Sequence, residues 1–188
     1  MERPVAVLPL PSDQVPLILQ DLLFRLKVRD VMTRDLITVR RTDTMRYARA
    51  LMKSHGITGL PVAERDRLYG IVSMDDVITV MEHQQLDDPV EAHMTERVVV
   101  LEDDKPLAFG ASYFEKYRFG RFPVLDRGGR LCGILTSRDI SASLLIELYK
   151  EYARLEARVP PPSPQGAPAE RLRFAVQRYD FENAGRAA

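Results

Sequence analysis

The sequence predicts an α+β fold: two tandem β-α-β-β-α domains, packed through their sheets and flanked by helices. Three observations predict it. The first is an internal repeat, in which Val31-Met32-Thr33 returns as His93-Met94-Thr95 and Gly59-Leu60-Pro61-Val62 as Arg121-Phe122-Pro123-Val124, each 62 positions on. Gly70-Ile71-Val72-Ser73-Met74-Asp75-Asp76 returns 63 positions on as Gly133-Ile134-Leu135-Thr136-Ser137-Arg138-Asp139. The second is that short apolar runs alternate, inside each copy, with stretches of helical spacing. The third is proline placement: four of the 13 prolines precede residue 17 and five fall between 160 and 168, bracketing a body over about 13–159. Two copies of this period are too few and too long for a solenoid. A unit of about 60 residues is marginal alone, so the copies are expected to fuse into one module.

Each element follows from its residues. Leu36, Ile37, Thr38 and Val39 form a short apolar run that reads as a strand. Met45, Ala48, Leu51 and Met52 recur at helical spacing, and Gly56 stops that helix. Residues 60–63 and 68–72 flank the polar turn Glu64-Arg65-Asp66, a hairpin signature. Val77, Ile78 and Met81 are expected to supply the buried face of the second helix. The second copy repeats the plan with a strand over 98–101, a helix burying Leu107, Ala111 and Phe114, and a hairpin turning at Arg127-Gly128-Gly129. Its last helix is expected to bury Ile140, Leu144, Leu145 and Leu148. Before the first copy, residues 13–27 read as an apolar helix with Asp13 as cap, packed on the module.

Composition narrows the function. Lys plus Arg number 27 and Asp plus Glu 27, and the balance holds in every segment: 3 against 3 before residue 28, 9 against 10 over 28–90, 9 against 9 over 91–150, and 6 against 5 thereafter. No segment is basic enough for non-specific nucleic-acid or anionic-membrane binding. No apolar run approaches the roughly 20 residues of a membrane span, and no signal-peptide core follows Met1. With Cys132 as the lone cysteine, no internal disulfide forms. A cytoplasmic protein is expected.

Ser73-x-x-Asp76 and Thr136-x-x-Asp139 each follow a strand and open a helix. As plain structure, each pair is a helix N-cap with its capping-box partner. The same geometry has a second use, because a helix N-terminus offers free N–H groups and partial positive charge to a phosphate. The hydroxyl can donate to that phosphate, and the carboxylate can accept from ribose hydroxyls. Two such turns make a plausible pair of nucleotide sites. Arg121, Arg118, Lys116 and Arg138 place cations in the second copy only, so the anion-competent site is expected to be the one with Thr136 and Asp139.

These ordered residues, Met-Thr, Pro-Val and Gly-apolar-apolar-Ser/Thr-x-x-Asp, met twice over about 28–148, resemble a tandem CBS-domain pair, a Bateman module. The resemblance implies a regulatory module that binds an adenosine-containing ligand in the cleft between its copies and dimerises into a disc. It implies AMP, ADP or ATP as ligand, with S-adenosylmethionine or NADH also within the class, and no cofactor or metal. Carried over by position, one site comprises Ile37, Thr38, Gly59, Leu60, Pro61, Ser73 and Asp76. The other comprises Val99, Val100, Arg121, Phe122, Pro123, Thr136, Arg138 and Asp139. The domain plan is an N-terminal segment over 1–27, copies over 28–86 and 87–148, a helix extension and Pro-rich linker over 149–170, and a further segment over 171–188.

Leu145, Leu148, Tyr152, Leu155 and Val159 continue the last helix with a heptad-like seam too short for a coiled coil, so one long amphipathic helix is expected. After the prolines, Leu172, Phe174 and Val176 alternate like a strand, and a helix-like stretch follows from Asp180. This tail resembles the opening strand and helix of the histidine-kinase-like ATPase domain of anti-sigma-factor serine kinases. That implies a truncated chain whose attached output domain is missing.

Catalysis finds little support. His55, His83 and His93 are scattered, no Gly-rich phosphate loop or nucleophile elbow is present, and Cys132 sits in an apolar strand. The adjacent acids Asp75-Asp76, Asp87-Asp88 and Asp103-Asp104 diverge, and all but Asp76 read as turn or helix-start chemistry. Two functions remain: a nucleotide-sensing regulatory module, or a structural, dimerising module whose sites are degenerate.

Overall fold

The computed structural model describes residues 15–117 and 119–158. The chain divides into two units, Met1–Lys150 and Glu151–Ala188. Both copies lie within the first; of the second, the described residues are the end of helix α6 (Ser137–Arg158). Asp13 and the segment after residue 158, with its prolines and kinase-like tail, lie outside the described residues.

In the first copy, α3 (Met45–His55) starts at Thr44, whose side chain accepts from Tyr47 N–H, and ends at Gly56 in the left-handed conformation at φ 63°. Its buried residues Met45, Ala48 and Met52 step by three and four, as the spacing predicted. β1 (Gly59–Glu64) and β2 (Arg67–Ser73) pair antiparallel through a two-residue turn, with Arg65 and Asp66 at φ 48° and 67°. Two consecutive positive φ values match the twist of a tight hairpin. In the second copy, β4 (Arg121–Leu125) and β5 (Leu131–Thr136) form the equivalent hairpin, and β3 (Leu101–Glu102) adds to β4 in parallel. Helices α4 (Met74–Glu82) and α5 (Leu107–Tyr117) complete the copies.

Several local expectations are corrected. Residues 36–39 form no strand: Val39 alone bridges Val62, donating to Pro61 O and accepting from Ala63 N–H at 3.1 and 2.9 Å. The strand expected at 98–101 shrinks to β3. The N-terminal helix ends earlier, as α1 (Val15–Arg25), and a separate turn of helix, α2 (Val28–Val31), follows. On α4 the buried pair is Val77 and Val80, while Ile78 and Met81 are 49% and 43% exposed. On α6, Ile140 and Leu148 are buried but Leu145 is half exposed.

The copies interlock by exchanging the segments that lead into them. Val28 and Met32 open the first copy in sequence yet lie in the second copy's core, with Leu101, Leu107, Phe122, Val124, Leu135 and Ile140. Val90 opens the second copy in sequence yet lies in the first copy's core, where Met94 packs against it. Backbone pairing fixes both crossings. Thr33 and Ile134 exchange N–H···O bonds of 2.9 Å each, and Ile71 and Thr95 exchange bonds of 3.0 and 2.8 Å. At each crossing a methionine fills the space that a glycine leaves. A Cβ on Gly133 would lie 2.2 Å from Met32 Sδ, and one on Gly70 would lie 2.7 Å from Thr95 O and 2.9 Å from Met94 Sδ. Met-Thr and Gly-apolar-apolar, two separate anchors of the repeat, are therefore two halves of one contact between copies. Helix α1 joins the second copy: Leu22 is fully buried, Leu23 and Leu26 pack on that core, and Leu26 O accepts from Leu107 N–H at 2.8 Å.

Candidate functional site

Ser73 closes β2 and caps α4. Its N–H and its hydroxyl both donate to Asp76 Oδ2 at 2.7 Å, and Asp76 N–H donates to Ser73 Oγ at 3.3 Å. Thr136 and Asp139 repeat the box at the start of α6, with distances of 2.8, 2.7 and 3.2 Å. Each box uses one carboxylate oxygen and leaves the other free of it. The boxes alone account for why these residue types stand here, and they also hold each carboxylate at a fixed height over a helix N-terminus.

A cavity of about 500 Å³ opens over the Ser73–Asp76 box. From the first copy it is lined by Thr58 and Gly59 at the start of β1, by Ile71 and Ser73 on β2, and by Asp75 and Asp76 on α4. Its other wall belongs to the second copy: Thr95, Arg97, Val98 and Val99 from the crossing segment, and Phe119, Gly120 and Arg121 before and at the start of β4. The Arg121 guanidinium spans the junction, donating to Gly59 O at 2.6 Å and to Thr58 Oγ1. The guanidinium lies close over the Gly59 backbone, where a Cβ would stand in van der Waals contact with Arg121 Cζ at 3.4 Å and tighter against Val72 O at 3.2 Å. Partial burial pushes the Arg121 pKa down from its ordinary value, but an arginine remains charged at neutral pH. The cavity thus joins two cations, two carboxylates, three hydroxyl residues and an apolar wall.

Of the residues singled out from the sequence, Gly59, Ser73, Asp76, Val99 and Arg121 line this cavity. Leu60 and Phe122 are core residues of their copies, Pro61 and Pro123 are buried in β1 and β4, and Ile37 packs against the first core. Thr38 and Val100 are half-buried and off the cavity, and Arg138 is exposed. The grouping by copy is corrected. Ser73 and Asp76 meet Val98 and Val99 instead of Ile37 and Thr38, because the leading segments have changed places. The backbone of Arg121 pairs with Thr136, yet its side chain crosses to the Ser73 cavity, so the cation joins that box and not the one expected. Arg118 lies outside the described residues, and Lys116 sits 4.9 Å over the Tyr117 ring.

Thr58, Ile71, Asp75, Thr95, Arg97, Val98, Phe119 and Gly120 were not anticipated. The repeat offset held the signal. Shifting the cavity's residues by 62 or 63 positions gives their counterparts around Thr136 and Asp139, and seven of them change character. Arg97 becomes Asp35, Phe119 becomes Ile57, Asp75 becomes Arg138, Thr58 and Gly59 become Gly120 and Arg121, and Gly120 and Arg121 become Thr58 and Gly59. The two boxes are alike, but their surroundings are not.

Outside the cavity, His93 Nε2 lies 3.0 Å from Asp88 Oδ2, a pair that the sequence did not indicate, and the Asp87 carboxylate accepts from Arg46 Nε and Nη2 at 2.8 and 2.9 Å. Among the described residues no group of three or more His, Cys, Asp or Glu is placed to hold a metal ion. Cys132 is half-buried against the second core, and burial pushes its thiol pKa up. No described helix is long and apolar enough to cross a membrane.

Fold and cavity together define a tandem pair of small α+β domains with a cleft between them. The CBS domain family matches twice, over residues 28–83 and 90–146, and the chain belongs to that family as a tandem pair. Its module is a regulatory one and not a catalytic one. Among solved structures, the chain is similar to CBSX2 in complex with AMP, at 32% identity and a TM-score of 0.58 over 64% of this chain and 98% of that one. It is also similar to the CBS domain pair of protein MJ0100 in complex with 5′-methylthioadenosine and S-adenosyl-L-methionine, at 27% identity and a TM-score of 0.58 over 65% and 98% of the two chains. A curated relative, homoserine O-acetyltransferase of Methanosarcina acetivorans, is 32% identical over 136 residues, covering 71% of this chain and 24% of that protein. The chain spans about a quarter of the length of this relative and of several others it matches, and 43% and 73% of two more.

Proposed function

We propose that the chain is a regulatory module that senses an adenosine-containing nucleotide of the AMP, ADP or ATP class in the cavity between its two CBS domains. One observation carries this reading: the hydroxyl–carboxylate pair over the N-terminus of α4 shares a cavity with Arg97 and Arg121 of the other copy. With both Ser73 donors committed to Asp76, a phosphate is served by the guanidiniums of Arg97 and Arg121 as charge-assisted donors and by the positive end of α4, and Asp76 Oδ1 is free to accept from a ribose hydroxyl. The ligands in the CBSX2 and MJ0100 structures, AMP in the one and 5′-methylthioadenosine and S-adenosyl-L-methionine in the other, all contain adenosine, and AMP adds the phosphate. Because the cavity walls come from both copies, a ligand there bears on how the copies sit together. α6, continuous over 22 residues, is the path by which that change reaches an attached C-terminal domain, for which the ATPase-like tail is the candidate. The functional assembly in this reading is a cytoplasmic homodimer.

The test is calorimetric titration of the purified chain with AMP, ADP, ATP, S-adenosylmethionine and NADH. At least one of these is expected to bind, and at a hundredfold excess over Kd it should stabilise the fold by about 2.7 kcal/mol. Absence of both heat and thermal stabilisation with every compound would reduce the chain to a structural, dimerising module with degenerate sites.

A further inference from the structure

We infer that Phe119 is the stacking platform for the purine ring of the ligand, and that it makes this cleft, and not its pseudo-symmetric counterpart, the base-selective one. The inference rests on the nucleotide reading above and adds to it the residue that recognises the base. Phe119 lines the cavity beside Gly120 and Arg121 and is 53% exposed. A phenylalanine left this open in water is unusual for a core residue, and this one is also held in place. Tyr117 stacks parallel to it, with centroids 6.0 Å apart and planes within 7°. Phe122, itself buried, meets it edge-on at 6.0 Å and 62°. Tyr117, offset and parallel, and Phe122, tilted, therefore hold the ring from two sides, and its exposed half borders the cavity.

A fixed aromatic face next to an arginine and a helix N-terminus is what a nucleotide base needs. The offset-stacked arrangement is favoured by the ring quadrupole, and ordering a ring that neighbours already hold costs little. The counterpart 62 residues earlier is Ile57, which packs against the first copy's core and has no π-face. The repeat therefore preserves the capping box in both clefts and the base platform in one.

The chain contains no tryptophan, so Phe119→Trp introduces a single reporter at the proposed contact. With AMP as the probe, Phe119→Leu keeps an apolar side chain but removes the ring, and affinity is expected to fall on the order of tenfold or more. Phe119→Trp should keep affinity near that of the wild type, with its emission changed on AMP addition and a single saturating phase. Wild-type affinity in Phe119→Leu, or an emission in Phe119→Trp that AMP saturation leaves unchanged, overturns the inference while leaving the nucleotide reading standing. The nucleotide reading falls, and takes the platform with it, if the wild-type chain takes up none of AMP, ADP, ATP, S-adenosylmethionine and NADH; if one of the others binds in place of AMP, it serves as the probe in the same two variants.

Discussion

Gly70→Ala is expected to lower the unfolding free energy by about 3 kcal/mol and to weaken ligand binding at the same time. The added Cβ would stand 2.7 Å from Thr95 O, a backbone atom locked by the paired bonds with Ile71. It cannot be accommodated by a rotamer change, so the crossing segment must lift from β2. That segment carries Thr95, Arg97, Val98 and Val99 into the cavity, so loss of pairing becomes loss of the wall. Gly133→Ala is the informative contrast. There the three nearest atoms belong to one flexible side chain, Met32 Sδ, Cγ and Cε at 2.2, 2.8 and 3.1 Å. Its cost should be about 1–2 kcal/mol, and it should nearly vanish in a Met32→Ala background. Gly70→Ala should keep its cost in a Met94→Ala background, because Thr95 O remains. Urea denaturation of the two double-mutant cycles measures both couplings. Equal relief in the two cycles would contradict the backbone clash.

The same contacts explain what the sequence could and could not reveal. Helix α3, both hairpins and both capping boxes follow from local rules: Thr44 and Gly56 at the ends of a helix, alternating apolar residues around a tight turn, a hydroxyl three residues before a carboxylate. Those rules act within a few residues and survive any arrangement of the copies. The face of α4 was not legible, since residues 77, 78, 80 and 81 are all apolar. Helical spacing alone admits either stripe, and tertiary packing selects Val77 and Val80. The exchange of leading segments was not legible either. Nothing in Met32-Thr33 says that its partner is Gly133, 101 positions away, and not Gly70. For that reason the site residues were sorted by copy, whereas the cavity is built across copies. The asymmetry at positions 59 and 121 was visible as Gly against Arg. Its meaning, a side chain reaching over the junction to Gly59 O, needed the geometry.

Asp76→Ala and Asp139→Ala should cost the fold similarly and the ligand very differently. Each removes a capping box with near-identical distances, so each should destabilise by about 1 kcal/mol. Only Asp76 lines the cavity that also holds Arg97, Arg121 and Phe119. A carboxylate accepting from a ribose hydroxyl is worth about 1.5–3 kcal/mol, so Asp76→Ala should weaken AMP binding by roughly 10- to 150-fold. Asp139→Ala should leave that affinity within a few-fold, since Asp35 and Gly59 replace Arg97 and Arg121 around its box. The sequence argument pointed the other way, assigning the anion site to Thr136 and Asp139 on the strength of Arg121, Arg118, Lys116 and Arg138. Chain position put Arg121 with its own copy, and only the direction of its side chain moves it to the other. Titrating AMP into the two variants at matched fraction folded decides between them. A larger loss in Asp139→Ala would restore the assignment by copy and remove Arg121 from the ligand's reach.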